Sequence, residues 1–465
     1  MATAPKPVGK RVYDVAVLGS DVGGAAAAAL SVKRGLRTLI APMGAVAAAR
    51  ESEGWLLPAA LSIAPPLRQL SAAIGPLDEL GLGPDLQRLS GTSQGAFQLL
   101  GEKLRISLPT DAGRRRAELR RELSEEAAAV AESALESLER LGRPWDPFLT
   151  EPPPWPPRGF FERRRVRKLV VDPPALPEGL IGECLAALAP FAASLTGDSA
   201  PEATAREAAA LLRAPLRFWG GHAQLAELLR KRAQEGGADL LFETASGLRF
   251  ERKGVVFDLG GTEVRSACVV LACSPDRIAA LLEGGGRAER KVAEESQLVV
   301  ERKVTLAHFV VRNEGLPLAL EEAALLLGHP LGPLVISSLP ARRARGESTS
   351  ERLLTVARIS EAGFSDGEGF LSAVRSALEP VLPFFERHIL HQAADLDPAQ
   401  PHPILRPAED GVAIGLRPIS ESEDRVLFAS SFTYPGFGLE GQILAAQAAR
   451  DQALSLSGRK SVSAT

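Results

Sequence analysis

The first forty residues carry the pattern that most limits what this chain can fold into. An apolar run at residues 14–18 is followed by a glycine-bearing turn at residues 19–24 and a small-residue stretch at residues 25–33. Gly35 stands where glycine often ends a helix, and a second apolar run follows at residues 37–40. Because parallel strands can be joined only through a crossover, this order predicts a βαβ unit at the start of a parallel sheet.

Two later blocks fit the same architecture. The second begins at Gly220-Gly221 and continues with a predicted helix, a small β-meander and a buried strand at residues 269–272. The third holds an apolar strand at residues 426–429, a Gly/Pro turn at residues 435–438 and a helix at residues 441–454. The apolar runs at 269–272 and 426–429 are therefore predicted to join the sheet that residues 14–18 begin.

Bulk properties exclude several classes of protein. The 465 residues are 45% hydrophobic, which is enough for two or three packed domains. The net charge of −3 excludes the strongly basic profile of a dedicated nucleic-acid binder. Three cysteines (Cys184, Cys268 and Cys273) form no disulfide framework and fit a reducing compartment. Residues 1–10 contain no signal-like apolar region and no stretch is long enough to span a bilayer, so we expect a cytoplasmic protein.

In their order and spacing, the three blocks resemble the phytoene desaturase and flavin amine oxidase branch of the FAD-dependent oxidoreductases. The resemblance implies an α/β chain whose Rossmann-like FAD/NAD(P)-binding domain is discontinuous, with residues 1–75, 215–295 and 408–465. An α+β substrate domain, residues 76–214 and 296–407, would be inserted into it. Members of this branch transfer hydride from apolar molecules or amines to the flavin, so FAD and an apolar small molecule are the expected ligands.

The resemblance also assigns cofactor contacts, although it assigns no catalytic side chain. The phosphates would lie at the turn before the first helix, because the N–H groups of a helix N-terminus attract anions. The flavin ring would border the closing turn. The matching positions are Gly19, Ser20, Gly23 and Gly24 in the first turn, Arg50 after the second strand, and Ser431, Gly436 and Gly438 in the closing block.

Several positions depart from the pattern of this branch. Its first turn has glycine where this chain has Asp21, whose charge would face the pyrophosphate. At an effective dielectric near 20 and a separation of ~5 Å, each such repulsion costs roughly 3 kcal/mol. The acid that binds the adenosine ribose is replaced by Pro42, or by Ala41 if the register shifts by one residue, and Ser430-Ser431 replaces a Gly-Asp pair in the closing block. The branch's Gly-Gly-Arg is Ala48-Ala49-Arg50, which keeps only the arginine.

Three hypotheses about function remain open. The first is an FAD-dependent oxidoreductase that acts on an apolar small molecule. The second is the same scaffold after loss of tight FAD binding, used to bind a ligand or a protein partner. The third is a flavoprotein that binds a nucleotide through rearranged contacts. Asp21 has an alternative role as a helix N-cap, which would also leave the phosphate position empty.

Other candidate residues have ordinary structural alternatives. His388 and His391 are three apart on a predicted helix, a spacing that suits a metal, but no second ligand cluster is near, which favours a partly buried pair. The basic run at residues 163–168 has apolar flanks and would form either a solvated face or a peripheral contact with an anionic membrane. Tyr434, beside the closing turn, would either line the substrate site or pack in the core.

Two stretches in the predicted substrate domain give local expectations. Residues 114–141 are rich in Ala, Glu, Leu and Arg and predict one long helix with a solvated face. Residues 144–157 are rich in proline and predict a connector without regular structure, because each proline removes a backbone donor.

Overall fold

The computed structural model describes residues 11–43, 47–90, 96–157, 159–170, 175–193, 201–298, 300–345, 348–396, 404–405 and 415–458. The residues up to Arg213 form the following strands and helices: β1 (Arg11–Gly19), α1 (Val22–Lys33), β2 (Thr38–Ala41), β3 (Ala49–Ser52), β4 (Trp55–Pro58), β5 (Ile63–Ala64), α2 (Ser71–Glu79), α3 (Gly83–Ser90), β6 (Phe97–Gly101), β7 (Leu104–Leu108), α4 (Ala112–Glu122), α5 (Glu125–Leu141), α6 (Asp146–Thr150), α7 (Phe160–Leu169), α8 (Gly179–Ala193) and α9 (Pro201–Arg213).

The rest of the chain adds further strands and helices. They are β8 (Leu216–Arg217), α10 (Gly221–Glu235), β9 (Asp239–Leu240), β10 (Ala245–Glu251), β11 (Gly254–Leu259), β12 (Thr262–Ala272), α11 (Pro275–Leu282), α12 (Arg287–Glu295), β13 (Val300–Val311), β14 (Ala323–Leu326), β15 (Leu334–Arg342), β16 (Ser348–Glu361), α13 (Gly367–Leu378), β17 (Ile389–Asp395), β18 (Ile404–Leu405), β19 (Val426–Phe428) and α14 (Gly438–Leu456). Short 3-10 turns lie at Leu67–Gln69, Arg143–Trp145, Asn313–Gly315 and Glu386–His388.

The first sheet gathers strands from three distant parts of the sequence. Its order is β10-β11-β12-β1-β2-β9, and β19 pairs with the carboxyl half of β12. The strands β1, β2, β9, β12 and β19 run parallel, and β10 and β11 form the predicted meander. The prediction that residues 14–18, 37–40, 269–272 and 426–429 share one sheet is confirmed, and with it the Rossmann-like α/β fold class.

The second sheet is mostly antiparallel and includes strands that lie between the blocks of the first. Its order is β17-β13-β16-β15-β14-β6-β7, with β18 paired to β13. Helices also occur in the stretches of sequence that supply these strands, so the stretches contain both α and β structure. The predicted boundaries near residues 75, 214 and 295 remain predictions, and the boundary at 407/408 lies outside the described residues.

Helix α1 shows why the first turn is rich in small residues. Its residues Val22–Ser31 are all buried, because the helix packs on the first sheet and between α10 and α14. A Cβ on Gly24 would lie 2.3 Å from the Cβ of Ala272, so this position cannot carry a side chain without moving β12 away. The glycine and alanine run therefore lets the helix approach the sheet closely.

Two local predictions were wrong. Residues 114–141 form two helices, because Leu123 is extended and Ser124 begins α5 by accepting a hydrogen bond from the N–H of Ala127. The proline-rich stretch is partly helical, as a 3-10 turn and α6 occupy its first half. None of the described helices is long and apolar enough to cross a membrane.

Candidate functional site

The candidate site lies at the carboxyl edge of the parallel strands. Gly19 at the end of β1 is level with Ala272 at the end of β12, and Leu271 is level with Phe428 at the end of β19. Ligands of open α/β sheets bind at this edge, where strands give way to helix N-termini. The first turn, residues 19–24, and the closing segment, residues 429–438, therefore meet here, as the resemblance implies.

The glycines of the first turn are required by backbone packing. Gly19 has φ +136°, and a Cβ there would lie 1.9 Å from the carbonyl oxygen of Ala272. A Cβ on Gly23 would lie 2.5 Å from the carbonyl oxygen of Ala429. Both positions thus hold the turn against neighbouring strand ends whether or not a nucleotide binds.

Asp21 joins the two halves of the site. It occupies the N-cap position of α1, but its side chain makes no capping hydrogen bond. Instead its Oδ2 accepts from the backbone N–H of Ser431 at 3.0 Å and from the Ser431 hydroxyl at 3.4 Å. Burial raises the pKa of Asp21 to about 6, against the lowering effect of the hydrogen bonds from Ser431. The carboxylate therefore takes a place at the helix N-terminus that suits an external anion.

Two side chains that the sequence did not single out complete the first turn. Gln442 of α14 accepts, through Oε1, from the N–H of Gly23 at 3.3 Å. Arg230 of α10 is 4% exposed, and its guanidinium donates to the carbonyl oxygen of Ser20 at 3.1 Å. Burial lowers the pKa of Arg230 to about 10, against the raising effect of Glu227. The sequence signal that could have predicted the burial of Arg230 is its helical spacing, which places it on the same face as the buried Ala226 and Ala233.

The closing turn is held in an unusual backbone conformation. Tyr434, Gly436 and Gly438 have φ values of +52°, +90° and +47°, and the tyrosine is one of two non-glycine residues with positive φ among those described. A cluster of Trp145, Phe148, Trp155 and Phe437 packs against this turn, with ring centroids 4.9 to 6.1 Å apart. The indole N–H of Trp155 donates to the carbonyl oxygen of Pro435 at 3.1 Å. These contacts hold the turn rigidly in the fold.

Glu207 of α9 lies against the N-terminus of α14. Its Oε1 accepts from the N–H of Glu440 at 3.1 Å, and its Oε2 finds no hydrogen-bond partner among the described residues. A Cβ on Gly438 would lie 2.3 Å from that Oε2. Burial, followed by the nearby Glu440 carboxylate, raises the pKa of Glu207 well above its ordinary value. Glu207 thus caps the end of α14 that would border the flavin ring in the resemblance.

The cavity beside Glu207 is small. It measures about 50 Å³ and is lined by described residues that include Leu61, Phe191, Glu207, His222 and Leu306. This space accommodates a few waters, whereas sites for small organic molecules usually measure ~300 Å³ or more. A ring system at this point would require α8 and α9 to move away from Gly438.

Arg50 and Pro42 are the remaining positions at which the resemblance places cofactor contacts. Arg50 is on β3, where its guanidinium donates to the carbonyl oxygen of Ala394 in β17 at 2.9 Å. Pro42 is buried just after β2 and offers no side-chain acceptor for a ribose. The assignment of cofactor contacts to Arg50 and to the glycine and serine positions of both turns stays a prediction.

As they stand, these residues do not fit an FAD that is held tightly in the extended mode of the fold. Asp21 fills an anion position and bonds across to Ser431, the ribose acceptor is missing, and Glu207 closes one side of the last turn. The backbone of both turns is retained, since each of their glycines occupies the turn position that the resemblance implies. Two kinds of obstacle therefore remain: the side chains of Asp21 and Glu207, which a substitution can remove, and the close approach of α8 to Gly438 through the carbonyl oxygen of Ala192.

A larger cavity of about 710 Å³ borders Tyr434 in the closing segment. Leu149, Pro153, Ile419, Tyr434 and Leu444 form much of its wall, and Arg417 and Arg450 also line it. Tyr434 is itself 4% exposed, and burial raises its pKa to about 12. Tyr434 therefore both packs in the core and lines an apolar cavity.

The remaining candidates are structural. His388 ends a 3-10 turn and His391 lies in β17, so the predicted helix at this pair was wrong; His391 lies 3.0 Å from Ser52 Oγ through Nε2. No group of three or more metal-ligating side chains is found within the described ranges. The three cysteines are free and buried.

Comparison with known proteins identifies the fold. No protein-family model matches the chain, and no curated protein does. Cyclohexylamine oxidase from Brevibacterium oxydans IH-35A is 14% identical, with a TM-score of 0.59 over 96% of this chain and 99% of that chain. Putrescine oxidase bound to putrescine is 14% identical, with a TM-score of 0.57 over 97% of this chain and 100% of that chain. An oxidoreductase from Methanosarcina mazei is 13% identical, with a TM-score of 0.57 over 93% of this chain and 98% of that chain. The chain therefore has the Rossmann-type fold of the FAD-dependent oxidoreductases along almost its entire length.

Proposed function

We propose that this protein is an FAD-dependent oxidoreductase of the amine-oxidase-like type that takes up FAD as an exchangeable ligand instead of a permanently held group. The reaction class is oxidation of an apolar small molecule by hydride transfer to the flavin. The fold, which spans nearly the whole chain, supports the class. Exchangeable binding is inferred from the hydrogen bond between Asp21 and Ser431, because FAD must displace this contact to reach the N-terminus of α1.

The size of the effect follows from the three altered positions. An ionised Asp21 repels each nearby phosphate by roughly 3 kcal/mol. The lost acceptors at Pro42 and Ser431 each remove a charged hydrogen bond of about 1.5–3 kcal/mol. If these losses added, they would reduce a nanomolar site of about −12 kcal/mol to roughly micromolar or millimolar affinity. FAD would then leave the protein during purification.

The cavity beside the closing turn supports an apolar ligand. Ala, Leu, Ile and Pro side chains form about half of its wall and polar or charged side chains most of the rest, and its 710 Å³ falls within the range of ordinary small-molecule sites. Tyr434 gives it one phenol group in a conformation that non-glycine residues rarely adopt. Which apolar molecule binds there is a question for ligand screening against this cavity.

FAD affinity is expected to rise as the pH falls through about 6, the pKa of Asp21. Above this pH the carboxylate is ionised and repels the pyrophosphate, and below it the neutral acid does not. If only the neutral form binds, the neutral fraction predicts a gain of about 30-fold between pH 7.5 and pH 5. The measurement is FAD fluorescence quenching across this range.

Asp21→Asn separates charge from shape in the same titration. It keeps the acceptor for Ser431, and its FAD affinity is expected to be independent of pH and close to that of the unmodified protein at pH 5. Asp14→Asn, in the amino-terminal half of β1, is the matched control and should keep the pH dependence. A flat pH profile for the unmodified protein would exclude Asp21 as the controlling group.

A second candidate function is a binding protein without flavin chemistry. The observation that favours it is Glu207, whose Oε2 would lie 2.3 Å from a Cβ on Gly438 and whose side chain lines a cavity of only about 50 Å³. Under this alternative the flavin ring cannot enter, so FAD would fail to bind Asp21→Asn at any pH. The same titration therefore distinguishes the two candidates.

A further inference from the structure

Helix α7 has two faces of different chemistry. At 3.6 residues per turn, its exposed residues fall within an arc of about 160°. We call this the outer face; it consists of Phe160, Phe161, Arg164, Arg165, Arg167 and Lys168. It contains two aromatic rings, four positive charges and no acid.

The inner face fixes the helix to the rest of the protein. Val170 is buried just beyond its end, and Val166 packs against the core beneath the first sheet. Glu162 accepts from the guanidinium of Arg417 at 2.8 Å, so the one acid of α7 is neutralised on the inner side. Arg163, which belongs to the basic run in the sequence, also lies toward this side and is partly buried. The outer face is therefore presented by an anchored helix.

The aromatic pair is exposed far beyond what folding alone explains. Phe160 is 71% exposed and Phe161 is 82% exposed, with their ring centroids 5.7 Å apart. Exposed phenylalanines cost stability in water, but they insert readily at the boundary between lipid headgroups and acyl chains. Basic residues around them are attracted to anionic headgroups. Exposed aromatic rings surrounded by basic residues therefore suit the interface of an anionic lipid bilayer better than they suit water.

We propose that the outer face of α7 docks this protein on anionic lipid bilayers. The four basic residues supply the long-range attraction, and the two phenylalanines enter the interface. Arg417, which pairs with Glu162 on the inner face, also lines the 710 Å³ cavity, so the cavity lies on the inner side of α7. The proposal is independent of FAD binding.

Co-sedimentation with vesicles tests the proposal. The unmodified protein is expected to pellet with phosphatidylcholine vesicles that contain phosphatidylserine and to stay in solution with phosphatidylcholine alone. Each basic residue near such a surface strengthens binding by roughly fivefold. Arg164→Glu with Lys168→Glu removes two attractions and adds two repulsions, so binding should fall on the order of several hundredfold.

Two further variants keep the test specific. Arg114→Glu with Arg120→Glu changes the net charge equally on the exposed surface of α4 and should leave vesicle binding unchanged. Phe160→Ser with Phe161→Ser should weaken vesicle binding while leaving weak binding to a soluble polyanion such as heparin unchanged. All six positions are exposed, so the variants should unfold at the same temperature as the unmodified protein.

Three results would overturn the proposal. They are absence of the unmodified protein from the anionic pellet, equal loss of binding in the α4 control, and undiminished vesicle binding of the phenylalanine variant. Undiminished binding of the phenylalanine variant would mean that the outer face of α7 binds acidic macromolecules through its charge and does not insert into lipid.

Discussion

The triple variant Asp21→Gly, Pro42→Glu, Ser431→Asp is expected to bind FAD at least about a thousandfold more tightly than the unmodified protein. The glycine removes both a charge and the contact that joins the two turns. The glutamate and the aspartate restore acceptors at the end of β2 and in the closing segment. Recovery of about 4 kcal/mol, less than the full sum of the three losses, would already give this factor.

The FAD affinities of the three single variants rank the contributions of the three positions. Asp21→Gly should give the largest gain, because it relieves repulsion and steric conflict together, whereas the other two changes only add hydrogen bonds. Fluorescence titration at pH 7.5 measures FAD affinity for the unmodified protein, the three single variants and the triple variant. If the triple variant binds no better than the unmodified protein, the obstacle lies elsewhere, and Glu207 beside Gly438 is the next position to change.

Arg206→Met is expected to destabilise the protein by about 3–5 kcal/mol, because it leaves a buried carboxylate without its counter-charge. Arg206 in α9 lies 2.6 Å from Glu440, whose side chain is 0% exposed, and 3.0 Å from Asp146. The ion pair joins α9 to α14 and to the start of α6. The Glu440 carboxylate also accepts from the backbone N–H of Ala72 at 3.0 Å, and the residue is 0% exposed, so water does not reach the charge in the folded protein.

Urea unfolding of matched variants measures this loss. Arg120→Met, a change at an exposed arginine of α4, should alter the free energy of unfolding by less than about 0.5 kcal/mol. Arg206→Met combined with Glu440→Gln should lose less than Arg206→Met alone, since the side chain at position 440 is then no longer a buried charge without its partner. Equal losses for the single and double variants would show that packing around Arg206, and not its charge, provides the stability.

The parts of the fold that depend on local pattern could be predicted from the sequence. Short apolar runs predicted the strands β1, β2, β12 and β19. Few topologies are possible for a parallel sheet, so these runs also predicted that the four strands share one sheet. Helix periodicity in residues 114–141 is continuous across the break at Ser124, so a single capping side chain decided between one helix and two. Periodicity alone carries no signal for such a break.

The chemistry of the site depends on distant partners. Asp21 was recognised as a departure, but its bond to a residue 410 positions away, Ser431, could not be read from either segment. Glu207 and Arg206 lie on a helix whose sequence looks ordinary, and only the fold brings them to the N-terminus of α14. Sequence reasoning therefore found which positions had changed, and the structure shows what fills the space.

The visible absorption spectrum of the purified, unmodified protein tests the central claim most directly. Exchangeable binding predicts no stoichiometric flavin band after desalting at pH 7.5, and a bound-flavin signal on addition of FAD at micromolar or higher concentration. The spectrum needs no variant and no substrate, and it reports the occupancy of the site as the protein is isolated. A stoichiometric flavin band that survives desalting would contradict the account, because it would mean that Asp21 and Ser431 do not keep FAD from binding tightly.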